Sequence, residues 1–275
     1  MGTLQNLLLV FVAGLTTALA TGLGALPFFL VEEISDRWNV VLWGVASGIM
    51  VAASVFGLVR EGIAVVDGGL VDAAIAIGPG VVAGVLLVIV GHEVLEGAEF
   101  DPKQYEQADF RKLVLILGIL TVHSFPEGVA VGVSFAELGI EDPSLSTVTL
   151  AGLTLPVLAV FMTVAISIHN IPEGVAVSIP LRTLGVSEWR MVWWAVFSSL
   201  PQPIGAVLAY YFVTLAEQFL PFGFGFAASA MVYLVVTEFL PQALEHGRSV
   251  PGGGHRELLT GLAAGVLVMV PLAYV

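Results

Sequence analysis

The chain has 275 residues, of which 57% are hydrophobic and 11% are charged, with no cysteine and a formal net charge of −13. This composition lies far outside that of an ordinary soluble domain and is typical of a polytopic membrane protein. The excess of acidic residues argues against nucleic-acid binding and is compatible with attracting cations. The absence of cysteine excludes disulfides and thiolate metal ligands.

Long apolar runs of about 17 to 25 residues predict membrane-spanning helices. With short connections between them, they predict an all-α fold with one transmembrane domain over residues 1–275 and no soluble module. No basic segment precedes the first run and no small-residue cleavage site ends it, so we expect a true span and not a signal peptide. The eight predicted spans cover 4–30, 39–59, 73–97, 111–138, 148–181, 190–216, 221–245 and 257–275.

The basic residues predict the orientation of the chain, because lysine and arginine in short loops collect on the cytoplasmic side. With both termini outside, eight of the nine basic residues lie inside and only Arg60 lies outside. We therefore expect a multi-pass protein of the plasma membrane with extracellular termini. The inner residues are Arg37, Lys103, Arg111, Lys112, Arg182, Arg190, Arg248 and Arg256.

Two nearly identical segments stand out, "HSFPEGVAVGVSF" at 123–135 and "HNIPEGVAVSIPL" at 169–181. Each places a glutamate four residues after a histidine, so that both side chains share one helix face. His123 and Glu127 in span four, and His169 and Glu173 in span five, are predicted at comparable depth near mid-membrane. If the two faces meet, four groups of the kind that bind metals converge at one depth.

Proline and glycine occur at matching steps of both segments. Pro126 and Pro172 each remove a backbone donor inside a helix and free a carbonyl one turn earlier. Gly128 and Gly174 permit close helix approach. A single histidine–glutamate pair has a plainer explanation as a hydrogen-bonded link between helices. Two matched copies disfavour that explanation, because ionisable groups are costly in a membrane.

These two segments resemble the paired metal-binding motifs of the ZIP family of divalent metal transporters, and the chain is most similar to its GufA-like branch. The resemblance implies eight helices, with helices 1–3 and 6–8 forming an inverted repeat around helices 4–5, and a homodimer. It also implies elevator-type alternating access, in which spans one, four, five and six carry the metal as a block against the other spans.

The resemblance assigns metal ligands by position to His123, Glu127, His169 and Glu173, and adds Met50 from "ASGIMVAAS" in span two. This set would suit Zn²⁺ better than Mg²⁺ or Ca²⁺. Relatives with a second adjacent metal have asparagine, an acidic residue and glutamate at three positions where this chain has other residues. Those residues are Ser124, Asn170 and Gln202.

The departures remove negative charge, and two neighbouring dications need bridging carboxylates to offset their repulsion. Glu127 and Glu173 alone carry enough charge for one dication. We therefore predict one well-occupied site, with Ser124, Asn170 and Gln202 as neutral oxygen ligands or as donors that orient the carboxylates.

Further candidates lie toward the inner face. The loop after span three offers a possible exit or sensing site, although acidic residues also simply keep a loop soluble. In span seven, Glu238 is a candidate for the exit path, whereas His246 near Glu245 could instead cap a helix end. The loop candidates are His92, Glu93, Glu96, Glu99 and Asp101.

The leading hypothesis is a transporter, not an enzyme, that moves Zn²⁺ as its substrate across the lipid bilayer into the cytoplasm. Fe²⁺, Mn²⁺ and Cd²⁺ are further candidate substrates. The alternatives are an intramembrane zinc-dependent hydrolase and a metal receptor that does not transport. A hydrolase needs an open metal position and a separate general base, and the sequence marks neither.

Overall fold

The computed structural model describes residues 3–97, 107–138, 146–150 and 152–272, and these are mostly helical. The α-helices are α1 Thr3–Leu23, α2 Asp36–Ala52, α3 Arg60–Ala64, α4 Leu70–Gly97, α5 Gln107–Ser134, α6 Val157–Thr183, α7 Glu188–Ser198, α8 Pro201–Leu215, α9 Leu220–Leu234, α10 Leu240–Gly247 and α11 His255–Leu272. Two π-helical segments continue α2 and α9, at Ala53–Val59 and Val235–Phe239. Short 3-10 turns occupy Leu26–Phe29, Glu217–Phe219 and Pro251–Gly254.

Six stretches of the described residues are long and apolar enough to cross a membrane. A multi-pass membrane protein is therefore confirmed, while the count of eight spans stays a prediction. The helices α5, with 28 residues, and α11, with 18, are further long elements in the regions of predicted spans four and eight. The six stretches are Thr3–Phe29, Asp36–Ala64, Leu70–Val94, Val157–Thr183, Glu188–Leu215 and Glu217–Gly247.

The predicted start of span five at residue 148 is wrong, because the chain forms two strands there. Strands β1 Thr147–Leu150 and β2 Leu153–Pro156 pair in an antiparallel hairpin, so the fold is not wholly α. The reason lies in the segment "TVTLAGLTLP", where β-branched and leucine residues alternate around a turn. Gly152 at the turn has a φ of +80°, which glycine adopts without strain. Helix α6 begins only after Pro156.

Predicted span six is interrupted. Helix α7 ends at Ser198 and α8 begins at Pro201, the position where proline is best tolerated in a helix. The break matters because Gln202 is the second residue of α8 and is fully buried. An amide side chain is thus presented to the protein interior at the start of a helix.

Close glycine contacts divide the helices into two groups. In the first group, a β-carbon on Gly174 of α6 would collide with the backbone of Thr21 in α1, and one on Gly128 of α5 would collide with the backbone of Gln202 in α8. Gly22 of α1 faces α7. We define the first helix group as α1, α5, α6, α7 and α8.

The second helix group contains α2, α3, α4, α9, α10 and α11. Gly48 of α2 lies against the backbone of Leu262 in α11, and Gly84 of α4 lies against the backbone of Phe226 in α9. Gly62 of α3 packs on Phe224 of α9. Such backbone-to-backbone packing is how small residues bring membrane helices together.

At two glycines on the boundary between the groups, the closest contacts are with side chains of the other group. The groups meet along α2 with α6 and along α5 with α9. A β-carbon on Gly223 of α9 would lie 2.7 Å from Val133 Cγ1 of α5, and one on Gly57 would first meet the ring of Phe161 of α6. At these two glycines the boundary is formed by side chains. Inside the groups, most of the glycines named above meet the backbone of the neighbouring helix, and only Gly22 and Gly62 among them meet side chains.

We predict that Gly174→Ala destabilises the fold, because the added methyl would enter the backbone of Thr21 with no room to shift. Overpacking of this kind costs about 1–3 kcal/mol. Thermal unfolding in detergent, followed by the loss of the monodisperse gel-filtration peak, measures the effect.

Gly78→Ala in α4 is the matched control, because nothing lies within 4 Å of a β-carbon there. This variant should be as stable as wild type or more stable, since alanine favours a helix over glycine. Equal stability of the two variants would contradict the close approach of α1 and α6.

Candidate metal centre

Three ionisable side chains converge inside the helix bundle. Glu127 of α5 and His169 and Glu173 of α6 each offer a ligand atom, and these atoms lie within 4.8 Å of one another. All three residues are fully buried. Within the part of the chain that the structure describes, this is the group of acidic and histidine side chains that meets the geometry of a metal site.

Five of the six polar side-chain atoms of this cluster lack hydrogen-bond partners among the described residues. They are Glu127 Oε1, both oxygens of Glu173 and both ring nitrogens of His169. His169 Nε2 lies 3.2 Å from Glu127 Oε1, but the pair does not have hydrogen-bond geometry. Buried ionisable groups without partners are strongly unfavourable. A cation bound among them would satisfy these atoms together.

The spacing of the donor atoms fits a small dication. Zinc with ligands at about 2.0–2.2 Å in a tetrahedron separates those ligand atoms by about 3.3–3.6 Å. His169 Nε2 lies 3.2 Å from Glu127 Oε1 and 4.0 Å from Glu173 Oε2. The two distances lie on either side of that range, so small side-chain movements would complete the coordination. The donor set of imidazole and carboxylates matches the chemistry of zinc.

The repeated motif positions the cluster locally. His169 and Glu173 are one turn apart on α6, and Pro126 and Pro172 both lie inside their helices. Each motif glutamate is followed directly by a glycine. Gly128 packs against α8, and Gly174 packs against α1. The helix faces that carry the carboxylates therefore lie within a tightly packed bundle.

Neutral polar side chains surround Glu127 on its other side. Gln202 Nε2 donates a hydrogen bond of 2.6 Å to Glu127 Oε2. Gln202 Oε1 accepts from Asn170 Nδ2 at 3.1 Å and from the hydroxyl of Thr17 at 2.6 Å. Asn170 Nδ2 also donates to the Thr17 carbonyl at 2.7 Å. The sequence analysis named Gln202 and Asn170 as candidates, and the structure brings both beside the cluster.

His123 lies toward a second polar cluster. Its Nε2 is 3.3 Å from Nε2 of His92, and His92 Nδ1 is 3.4 Å from Glu238 Oε1. His92 and Glu238 are partly exposed, at 20% and 19%, whereas His123 is buried. The chain from His123 to Glu238 thus connects the buried interior to a more accessible region.

Phe239 lies beside both histidines of the repeated motifs. Its ring centroid lies 6.2 Å from that of His169 and 6.4 Å from that of His123. Trp43 packs on Phe239 edge to face, with centroids 4.8 Å apart. Phe239 is itself almost fully buried. It forms an apolar wall beside the imidazoles.

The remaining candidates lie in varied surroundings. Met50 of α2 and Ser124 of α5 are fully buried. His246 Nδ1 lies 2.9 Å from the carbonyl of Gln242 in its own helix, which matches the helix-end alternative. Glu93 is exposed near the end of α4. The predicted loop candidates Glu99 and Asp101 lie outside the described residues, and so does the side chain of Glu96.

Three residues near the cluster were not predicted from the sequence. Thr17 and Thr21 carry hydroxyls one turn apart in the mainly apolar α1. Both are buried and make polar contacts, Thr17 with Gln202 at 2.6 Å and Thr21 with Ser199 at 2.8 Å. Their i, i+4 spacing in "GLTTALATGL" was the available signal. Phe239 carried no signal, because one phenylalanine in an apolar span is ordinary.

Comparison with known proteins identifies the family of this chain. A sequence model of the family described as ZIP Zinc transporter matches residues 154–273. The zinc transporter GufA of Myxococcus xanthus is 32% identical over 266 residues, which cover 95% of this chain and 96% of that protein. The zinc transporter ZIPB of Bordetella bronchiseptica is 32% identical over 91% of this chain and 75% of its own length.

A third relative is longer. The Arabidopsis thaliana protein At3g08650 is 41% identical over 84% of this chain, and the matched part is 34% of that protein. The chain therefore spans about a third of the length of this relative but nearly the whole of GufA. Similarity over nearly all of GufA and three quarters of ZIPB, together with the family match, settles the relationship. This chain belongs to the ZIP family of zinc transporters, whose members are transporters and not enzymes.

Proposed function

We propose that this protein moves Zn²⁺ across the membrane into the cytoplasm through one site formed by Glu127, His169 and Glu173. The observation that carries the proposal is the convergence of five buried polar atoms without hydrogen-bond partners on these three side chains. The names of the relatives GufA and ZIPB as zinc transporters support the choice of metal. Fe²⁺, Mn²⁺ and Cd²⁺ are secondary candidates, because such ligands accept several dications.

The proposed site holds a single ion. The two carboxylates of Glu127 and Glu173 offset the charge of one dication, and the neighbouring Asn170 and Gln202 are neutral. A second dication a few ångströms away would meet strong repulsion with no further negative charge to offset it. We propose that His123 and Met50 complete the ligand set at other stages of transport.

The proposed exit path uses His92 and Glu238. These residues form a contact of 3.4 Å, are partly exposed and connect to buried His123. An ion leaving the site would find imidazole and carboxylate ligands along this line. The orientation follows the distribution of basic residues, with eight spans and both termini outside the plasma membrane. A homodimer is proposed from the family alone.

The two helix groups support an elevator-type mechanism. Backbone contact at glycine holds helices together inside each group, while Gly57 and Gly223 meet side chains of the other group. Such a boundary resembles a surface along which one unit can slide. We propose that the first helix group, which carries Glu127, His169 and Glu173, moves against the second.

The packing also supports the proposed inverted repeat. Helix α2 packs on α11, and α4 packs on α9, so spans two and three contact spans eight and seven. In the same way α1 packs on α6 and α5 packs on α8. A pseudo-two-fold axis that relates spans 1–3 to spans 6–8 would exchange the α2–α11 contact with the α4–α9 contact, and the α1–α6 contact with the α5–α8 contact. Such axes occur in many transporters. The π-helical segments of spans two and seven are consistent with that relation.

Zn²⁺ flux into proteoliposomes tests the function. We predict uptake with the intact chain and its loss in the double variant His169→Ala with Glu173→Ala, because two of the three ligand side chains are then gone. A zinc-sensitive dye inside the vesicles measures the initial rate. The matched control is His255→Ala with Glu217→Ala, which removes one exposed histidine and one exposed glutamate far from the cluster residues in sequence and should transport normally.

Equal flux in the two double variants would contradict the site. Tight Zn²⁺ binding by the intact chain with no flux would instead favour a metal receptor. Since the chain has no cysteine, a dye that reacts weakly with thiols brings no background.

Disulfide trapping tests the movement. Because the chain has no cysteine, Val133→Cys with Gly223→Cys introduces a single pair of cysteines, one in each helix group. A β-carbon at position 223 lies 2.7 Å from Val133 Cγ1. That separation suits a sulfur bonded to the facing cysteine. We predict that a metal-free thiol oxidant abolishes Zn²⁺ flux and that a reductant restores it.

The control pair Gly22→Cys with Val196→Cys has the same 2.7 Å separation but lies inside the first helix group. It should cross-link without loss of flux. If the cross-linked 133–223 pair transports at the rate of the control pair, the two groups do not move relative to each other there.

A further inference from the structure

A chain of hydrogen bonds reaches Glu127 from α1. It begins at the hydroxyl of Thr17, whose one proton is shared between Gln202 Oε1 at 2.6 Å and the carbonyl of Gly14 at 2.7 Å, and it ends where Gln202 Nε2 donates to Glu127 Oε2 at 2.6 Å. All three side chains are fully buried. The bonds are therefore shielded from water. In such a buried site, hydrogen bonds to a charged acceptor are strong and the loss of one partner is costly.

The direction of this chain is determined by chemistry. The backbone carbonyl of Thr17 can only accept, so the Asn170 atom that faces it at 2.7 Å must be the donor Nδ2, and the Gln202 atom that the same nitrogen faces at 3.1 Å must be the carbonyl oxygen. The other end of the amide is then the N–H₂ group, and it faces Glu127. A flipped Gln202 would set two donors against each other at Asn170 and two acceptors against each other at Glu127. Thr17 adds a hydroxyl donor on the same side as Asn170.

The two oxygens of Glu127 consequently have different roles. Oε2 is bound by Gln202, while Oε1 faces His169 Nε2 at 3.2 Å and has no hydrogen-bond partner among the described residues. To chelate an ion through both oxygens, the carboxylate would have to turn and give up the Gln202 bond. The structure thus favours Glu127 as a ligand through one oxygen.

The number of oxygens that a carboxylate offers affects which ion it suits. Zinc commonly takes four ligands in a tetrahedron, with one oxygen from each carboxylate, whereas Mn²⁺ prefers about six oxygen-rich ligands. A site of limited size gains ligands for a larger coordination number chiefly when a carboxylate binds through both oxygens.

We propose that Gln202, oriented by Thr17 and Asn170, is a specificity-determining residue that holds Glu127 as a one-oxygen ligand and thereby favours Zn²⁺ over Mn²⁺. Gln202 and Thr17 act through Glu127 and are positioning residues. This role of Gln202 rests on the proposed function in one respect, that Glu127, His169 and Glu173 bind a dication. Beyond that function, it identifies the residues that determine the preference between ions.

The test measures competitive binding of Zn²⁺ and Mn²⁺ by the purified full chain in detergent. Gln202→Met keeps the length of the side chain but removes the amide donor. We expect its Zn²⁺ affinity to fall roughly 10–100-fold, as for other residues that orient metal ligands. Mn²⁺ affinity should fall less, because Glu127 becomes free to bind through both oxygens, so the ratio of the two affinities should drop.

A matched pair of threonine variants supplies the control. Thr17→Val removes the hydroxyl that faces Gln202 and should lower the affinity ratio in the same direction by a smaller factor. Thr16→Val removes the neighbouring exposed hydroxyl, which bonds only the carbonyl of Val12 in its own helix, and should leave the ratio unchanged. If Gln202→Met does not fold, the two threonine variants still decide the outcome.

Cobalt provides a readout that a merely structural role would not change. Four-coordinate Co²⁺ has far more intense visible absorption than six-coordinate Co²⁺, so wild type should show the intense spectrum and Gln202→Met a weaker one. An unchanged affinity ratio and an unchanged Co²⁺ spectrum in Gln202→Met and Thr17→Val would overturn the inference while leaving the transport site intact. A wild-type chain that binds neither Zn²⁺ nor Co²⁺ would overturn the proposed function as well.

Discussion

Glu127, His169 and Glu173 bring two carboxylates and an imidazole together, and five of their polar atoms have no hydrogen-bond partner among the described residues. Burying such groups costs several kcal/mol even after the surroundings relax. The fold can retain them only if something else compensates when the protein works, and a dication does so directly. The surrounding structure makes sense as the means of holding these three groups close together while keeping other polar atoms satisfied.

Two features meet that requirement. Glycine allows α6 to approach α1 and α5 to approach α8 at backbone distance, so that the helices carrying the ligands have little freedom to separate. The amide of Gln202 donates a hydrogen bond to one carboxylate oxygen of Glu127 and so stabilises that oxygen without adding a charge. We propose that this neutral amide limits the site to one ion, because a third carboxylate in its place would supply the negative charge that a second dication needs.

Much of the site could be predicted from the sequence because helical spacing is a local property. The histidine and glutamate of "HNIPEG" share a helix face whatever the rest of the fold does, and the second copy of the motif indicated a partner. The pairing of His123 with His92 could not be predicted, because it depends on how α4 packs against α5. The hairpin at Thr147–Pro156 was missed because its apolar residues extended a run that already looked like a span. Thr17 was missed because a threonine hydroxyl inside a membrane helix commonly bonds its own backbone, as Thr17 does with the carbonyl of Gly14.

The number and position of bound metal ions test the central claim most directly. Crystals of the full chain grown with Zn²⁺ and measured at the zinc absorption edge would locate every bound ion by anomalous scattering, and metal analysis of the same preparation would give the ions per chain. The account predicts one strong mid-membrane peak bounded by Glu127 Oε1, His169 Nε2 and Glu173, with Gln202 still bonded to Glu127 Oε2. Two adjacent peaks of equal height, or a strong peak that leaves His169 and Glu173 without a metal, would contradict it.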